Sequence, residues 1–162
     1  MKKKKALGQF YTTNAKYITE GLLNIFPEGA TIIDPFAGNW DLLNLVKDKH
    51  PIEAFDLDPQ NKKTIKRNTL LNPPNYKGRW VFTNPPYLNR TVSKDKTIYD
   101  KYETDDLYKA SILSMMDCEG GILIIPTNFF CTSHPKVRKM FLNKFEVVKL
   151  KVFEHQVFKD TG

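Results

Sequence analysis

The feature that most restricts the fold is a set of short apolar runs, each ending abruptly at a polar turn. Thr31-Ile32-Ile33 stops at Asp34, Ile52-Glu53-Ala54-Phe55 stops at Asp56, and Trp80-Val81-Phe82-Thr83 runs into Asn84-Pro85-Pro86-Tyr87. Runs of this length, too apolar to have a wet face, read as buried strands. Helical patterns lie between them. Ile18, Leu22, Ile25 and Phe26 recur at helical spacing after Thr13 or Asn14, until Pro27-Glu28-Gly29 stops them. Residues 41–49 place Leu42, Leu45 and Val46 on one face, and Asp58-Pro59 predicts a helix start that runs to about Arg67.

Further along, Asn72-Pro73-Pro74-Asn75 reads as an irregular turn and residues 88–103 as a polar, aperiodic loop. Thr104 is the expected cap of a helix through Asp117. Residues 121–125 and 146–152 read as strands, and Pro135 as the start of a helix between them. Alternating strands and helices predict an α/β fold, a mostly parallel sheet with helices on both faces. A length of 162 residues suits one domain, and no linker or repeat divides it.

Composition narrows the class. Aromatics at 12% and hydrophobics at 41% exclude a disordered chain. Lys plus Arg exceeds Asp plus Glu by 25 − 18 = 7, which favours a polyanionic partner such as nucleic acid. Cys118 and Cys131 form no disulfide framework, no apolar stretch is long enough to span a bilayer, and no His/Cys group has metal-ligand spacing. These point to a soluble cytoplasmic or nuclear protein with no metal and no membrane partner. Lys2 to Lys5 read as a flexible solvated tail within the first seven residues.

In parallel α/β sheets ligands bind beyond the carboxyl ends of the strands, so the turns after the strands are the candidate site. Gly38, in Asp34-Pro35-Phe36-Ala37-Gly38, lets a ligand approach the backbone. Asp56 follows it by 18 residues, a spacing suited to hydrogen bonds from a ribose diol. Asn84-Pro85-Pro86-Tyr87 is the sharpest signal. An amino group on an aromatic base is a poor nucleophile, because its lone pair is delocalised into the ring. The Asn84 side-chain oxygen and the Pro85 carbonyl can accept its two hydrogens and free the lone pair. Pro85 and Pro86 fix the backbone, and Tyr87 offers a ring for stacking. The other Asn-Pro-Pro, at 72–74, has no aromatic after it and no strand before it.

Taken in order, these segments resemble the N6-adenine DNA methyltransferases whose cofactor motifs precede the target-recognition domain. The resemblance spans nearly the whole chain and implies a Rossmann-like, S-adenosylmethionine-dependent methyltransferase fold acting on double-stranded DNA. Gly8-Gln9-Phe10-Tyr11-Thr12 is similar to the segment over the methionine part of the cofactor, with Tyr11 and Thr12 as contacts. The turn from Asp34 through Pro35 and Phe36 to Gly38 resembles the cofactor loop, and Asp56-Leu57 the ribose and adenine contact. Asn68 stands where the family often has an acid for the adenine amino group. Asn84, Pro85, Pro86 and Tyr87 match the catalytic motif, and Asp106-Leu107-Tyr108 the segment after it. Phe158 sits where an aromatic would hold the extruded base against Tyr87.

Trp40 replaces the usual glycine, which implies crowding of the helix start or contact with the cofactor. The sequence ends at Gly162 inside the last family motif, truncated at the C-terminal edge of the fold and without a target-recognition domain. The expectation is therefore an incomplete catalytic domain, weak or inactive alone and completed by a separate chain, in a restriction-modification setting with an endonuclease partner. Two alternatives stand beside DNA methylation: an Asn-Pro-Pro-Tyr enzyme acting on RNA or on protein glutamine, and an inactive or split methyltransferase that binds nucleic acid or a partner chain.

Overall fold

The computed structural model describes residues 12, 14–133 and 135–154. Five strands, β1 (Ile32–Asp34), β2 (Ile52–Asp56), β3 (Ile65–Lys66), β4 (Trp80–Thr83) and β5 (Gly120–Leu123), form one sheet in the order β3-β2-β1-β4-β5. Every pairing is parallel. The chain builds outward from β1 to β3, then crosses back to lay β4 on the other side of β1. The strand order therefore reverses between β1 and β4, the arrangement of a doubly wound α/β sheet.

Neighbouring residues of a strand point to opposite faces, and both faces are covered. Ile32 and Phe82, both 0% exposed, pack with Ala54, Ile122 and Ala15 of helix α1 (Ala15–Thr19) on one side. Ile33, Val81 and Phe55 pack with Tyr76 and Met115 on the other. There α2 (Thr97–Tyr102) and α3 (Leu107–Ser114) follow β4. Two short helices, α4 (Asn128–Cys131) and α5 (Lys136–Lys144), come after β5.

Six sequence expectations need correction. The single helix expected from Asn14 to Phe26 is broken: α1 ends at Thr19, Glu20 leaves helical geometry, and only a 3₁₀ turn at Leu23–Ile25 follows. Residues 41–49 form only a 3₁₀ turn at Leu43–Leu45, within a mixture of i−3 and i−4 hydrogen bonds. The tighter turn aligns Leu43 and Val46, three residues apart, and both are buried in the core. Residues 58–67 are not helical either. Asn61 Oδ1 accepts the Lys63 N–H at 2.9 Å, a local turn that competes with helix, and Ile65 then pairs with Phe55 as β3. Asp58 is thus no helix cap; its N–H donates to Asp56 Oδ1 at 2.8 Å.

Within residues 88–103, α2 breaks the expected loop. Its Tyr99 is 2% exposed and clusters with Leu70, Leu107 and Ala110. Helix α3 starts later than expected: Asp106, not Thr104, is its cap, with Oδ1 facing Tyr108 N at 3.4 Å, and it ends at Ser114. Residues 146–152 form no strand. Lys149 and Lys151 instead reach back to the Gly21 and Tyr17 carbonyls, at 2.8 and 2.7 Å, and draw the segment against the turn after α1. No helix among the described residues is long and apolar enough to cross a membrane.

Candidate functional site at the switch point

The reversal between β1 and β4 leaves a crevice at their carboxyl ends, and a cavity of about 610 Å³ opens there. Three separate turns supply its polar wall: Gly38 after β1, Asp56 and Asp58 after β2, and Asn84 after β4. Phe36, Leu57 and Pro86 line it beside them, and Asn68 lies on the same wall. The volume falls in the range of small-molecule and cofactor sites.

Asp56 is 4% exposed, and its carboxylate is oriented by two main-chain donors. Oδ2 accepts the Gly38 N–H at 2.8 Å, and Oδ1 accepts the Asp58 N–H at the same distance. The acid after β2 thereby fixes the turn after β1, where Gly38 takes φ +47°. Asn68 Oδ1 accepts the Leu71 N–H at 3.1 Å, which sets its amide at the cavity rim.

Asp34 and Pro35 do not line the cavity. Pro35 is below 2% exposed, and the 2%-exposed Asp34 carboxylate turns inward. Its Oδ1 accepts Thr83 Oγ1–H at 2.6 Å and the Phe36 N–H at 2.9 Å, tying the end of β4 to the turn after β1. Burial pushes its carboxyl up to about 7, against these two hydrogen bonds and with a smaller push from the Asp56 charge. Asp34 thus supports the crevice from beneath. That placement replaces the expected cofactor contact.

The Asn84-Pro85-Pro86-Tyr87 turn follows β4 directly. Asn84, 9% exposed, reaches the cavity with Pro86, whereas Pro85 is below 2% exposed and lies beneath. The second acceptor expected from the sequence, the Pro85 carbonyl, is therefore not presented on the wall. The Asn84 carboxamide sits between two hydroxyls. Its Nδ2 donates to Thr12 Oγ1 at 3.1 Å, and its Oδ1 accepts from the Tyr87 hydroxyl. That hydroxyl also contacts the Ile124 carbonyl at 2.5 Å, and the ring packs edge-on against Tyr108, with centroids 6.3 Å apart. Burial holds the Tyr87 phenol far above its ordinary pKa, so it stays protonated.

Trp40 lies in the core, not against the cavity. It is 6% exposed and donates Nε1–H to Thr64 Oγ1 at 2.6 Å, and its φ of +68° is a backbone conformation that glycine adopts without strain. Tyr11 and Phe158, with the Lys2 to Lys5 run, lie outside the described residues. Among the described residues no group of His, Cys, Asp and Glu is arranged to hold a metal ion.

The sequence reading missed the outer wall of the cavity. Val92, Ser93, Lys94 and Asp95, with Ile98 and Tyr99 of α2, close that side. Two signals mark it: the Ile98, Tyr99 and Tyr102 spacing, and Asp95 before Thr97. Asp95 Oδ1 accepts both the N–H and the hydroxyl of Thr97, at 2.9 and 2.7 Å, an acidic start to a helix.

The fold and the crevice define a Rossmann-like α/β protein with a cavity at its topological switch point. No protein-family model matches the chain, and neither does any curated protein.

Proposed function

We propose that the chain is the catalytic domain of an S-adenosylmethionine-dependent methyltransferase that modifies the N6 amino group of adenine in DNA. The observation that carries the reading is the convergence of Asn84 with Gly38 and Asp56 on one cavity. These residues come from turns far apart in sequence that follow three adjacent parallel strands, β2, β1 and β4.

The residues that line the cavity support this reading by their chemistry. Asp56 presents a pre-oriented carboxylate suited to a ribose diol, and the Phe36, Leu57 and Leu70 side chains give an apolar wall suited to a purine. Asn68 offers amide groups at the rim, and Gly38 keeps the backbone free of a side chain. S-adenosylmethionine, when bound, supplies a methyl carbon on a sulfonium, which becomes a neutral thioether as an amine nitrogen takes the methyl and sheds its proton to water.

Asn84 then has one task. Its amide oxygen accepts a hydrogen from the exocyclic amine, withdrawing the nitrogen lone pair from the ring and aiming it outward. Pro85 and Pro86 hold the turn, so the acceptor is in place before the substrate arrives. Tyr87 supplies an aromatic neighbour for the base. The target adenine must leave the duplex to reach this recess, and stacking offsets part of the unstacking cost. The surplus of seven positive charges suits a polyanionic substrate.

The test has two arms. Calorimetric titration of the chain with S-adenosylmethionine should give stoichiometric binding that Asp56→Ala weakens. With labelled cofactor and the chain supplemented by candidate partner domains, label should enter DNA. Label in RNA alone, or in a glutamine-bearing protein alone, would replace adenine in DNA as the substrate. No binding by a folded sample would remove the methyltransferase reading altogether.

A further inference from the structure

Charge is spread unevenly along the chain. Between Asp58 and Asp95 stand eight Lys and Arg and no Asp or Glu, a local excess greater than the seven of the whole sequence. Many cations elsewhere are occupied by the fold itself. On α5, Lys136 pairs with Glu103 at 2.6 Å and Lys144 with Asp117 at 3.6 Å, and beyond it Lys149 and Lys151 hold main-chain carbonyls. Within the acid-free stretch, Arg79 pairs with Glu53 at 3.0 Å, and the Arg67 guanidinium is engaged by the Asn72 and Pro73 carbonyls and the face of Phe55. Lys62, Lys63 and Lys66 differ. All three are exposed, and among the described residues their ammonium groups have no hydrogen bond, ion pair or ring contact.

The backbone that carries these lysines is fixed. Asn61 Oδ1 accepts the Lys63 N–H at 2.9 Å, and the Asn61 carbonyl accepts the Thr64 N–H at 3.0 Å. Thr64, 8% exposed, is anchored in turn by the Trp40 indole at 2.6 Å. Lys66 lies in β3, in register with Asp56 of β2. The segment leaves the crevice wall at Asp58 and returns to it at Arg67, and β3 is the end strand of the sheet. Three unpaired ammonium groups therefore flank the crevice on its β3 side. We infer that Lys62, Lys63 and Lys66 form a phosphate-contacting surface that holds the DNA backbone beside the crevice, on the β3 edge of the sheet and not over α5. Lysine meets a phosphate as a point charge and reads no sequence, so the contact orients the duplex and leaves base recognition to other residues. The choice of DNA as the polyanion rests on the proposed function; the partnerless state of the three lysines does not.

Fluorescence anisotropy with a labelled mixed-sequence DNA duplex, without cofactor and from about 50 to 200 mM salt, puts this to the test. Replacing the three together, as Lys62→Gln, Lys63→Gln and Lys66→Gln, should weaken binding on the order of 10-fold at the lower salt. The slope of log affinity against log salt should become shallower by about 3. A second variant, Lys136→Gln, Lys139→Gln and Lys144→Gln, removes the same charge from α5 at the other end of the sheet and should keep most of the wild-type affinity and slope. Both variants should melt as the wild type does, because every replaced side chain is exposed. Equal weakening by the two would show a response to net charge alone and overturn the inference. So would a β3 variant that binds DNA unchanged but self-associates in sedimentation, since the lysines would then guard an open sheet edge. Absence of duplex binding by the folded wild type would overturn it as well. Selective weakening beside a failure to bind S-adenosylmethionine would count against the proposed function alone, and normal cofactor binding beside equal weakening would count against the β3 surface alone.

Discussion

Asp56 Oδ2 accepts the Gly38 N–H at 2.8 Å across 18 residues of sequence. The acid at the end of β2 therefore shapes the turn at the end of β1 and faces the same cavity. Both groups it is seen to orient, Gly38 N–H and Asp58 N–H, are donors. Asp56→Asn must turn an NH₂ group toward one of them. The expected result is a loss of about 1 to 3 kcal/mol in urea denaturation and, by calorimetry, at least about a tenfold rise in the dissociation constant for S-adenosylmethionine.

Trp40→Gly separates strain from packing. Glycine at φ +68° relieves backbone strain of about 1 to 2 kcal/mol, but removing a buried indole costs about 3 to 5 kcal/mol. Packing outweighs strain, and the variant should lose about 1 to 4 kcal/mol in chemical denaturation. Its cofactor affinity should stay near that of the wild type, since the indole faces the core. A large gain in affinity would return Trp40 to the cofactor side.

Gly121→Ala should be among the most damaging single changes. A Cβ at this position of β5 would stand 2.0 Å from the Val81 carbonyl oxygen, inside the parallel pairing of β4 with β5. Backbone cannot yield there without breaking the ladder. The expected cost is about 3 kcal/mol or more, read as a drop in melting temperature or as failure to fold.

Asp34 gives stability a pH dependence of known sign. Its carboxyl is raised from 3.8 to about 7 in the folded protein, so between those values the native state holds a proton that the unfolded chain has released. Stability from this group is complete below about pH 4 and is lost as pH rises through 7. Asp34→Asn keeps an oxygen for Thr83 and Phe36 but cannot titrate. The stability of the wild type minus that of the variant, followed by urea melts from pH 5 to 8, should fall with rising pH. A flat difference would mean that Asp34 ionises as it does in the unfolded chain.

The strands and the site were readable in the sequence for one reason. Ile32-Ile33, Val81-Phe82 and Ala54-Phe55 are buried on both faces of a parallel sheet, so they stand as uninterrupted apolar runs, and the turns that follow them supply Gly38, Asp56 and Asn84 to the crevice. The local ambiguities went the other way. Residues 58–67 carry helix-start residues, but Ile65 gains a pairing with Phe55 that local propensity cannot foresee, and Tyr99 hides a helix in a segment that looks too polar to fold.

Amino-acid order by itself determined the alternating pattern, the polar turns and the presence of Asn84 before two prolines and a tyrosine, because these depend on neighbours a few residues away. Only the tertiary structure decided that Asp34 supports the crevice from below while Asp56 faces it, that Trp40 belongs to the core, and that Tyr87 reaches Ile124. Those outcomes turn on which way a side chain points once β1 lies between β2 and β4, and long-range packing sets that direction.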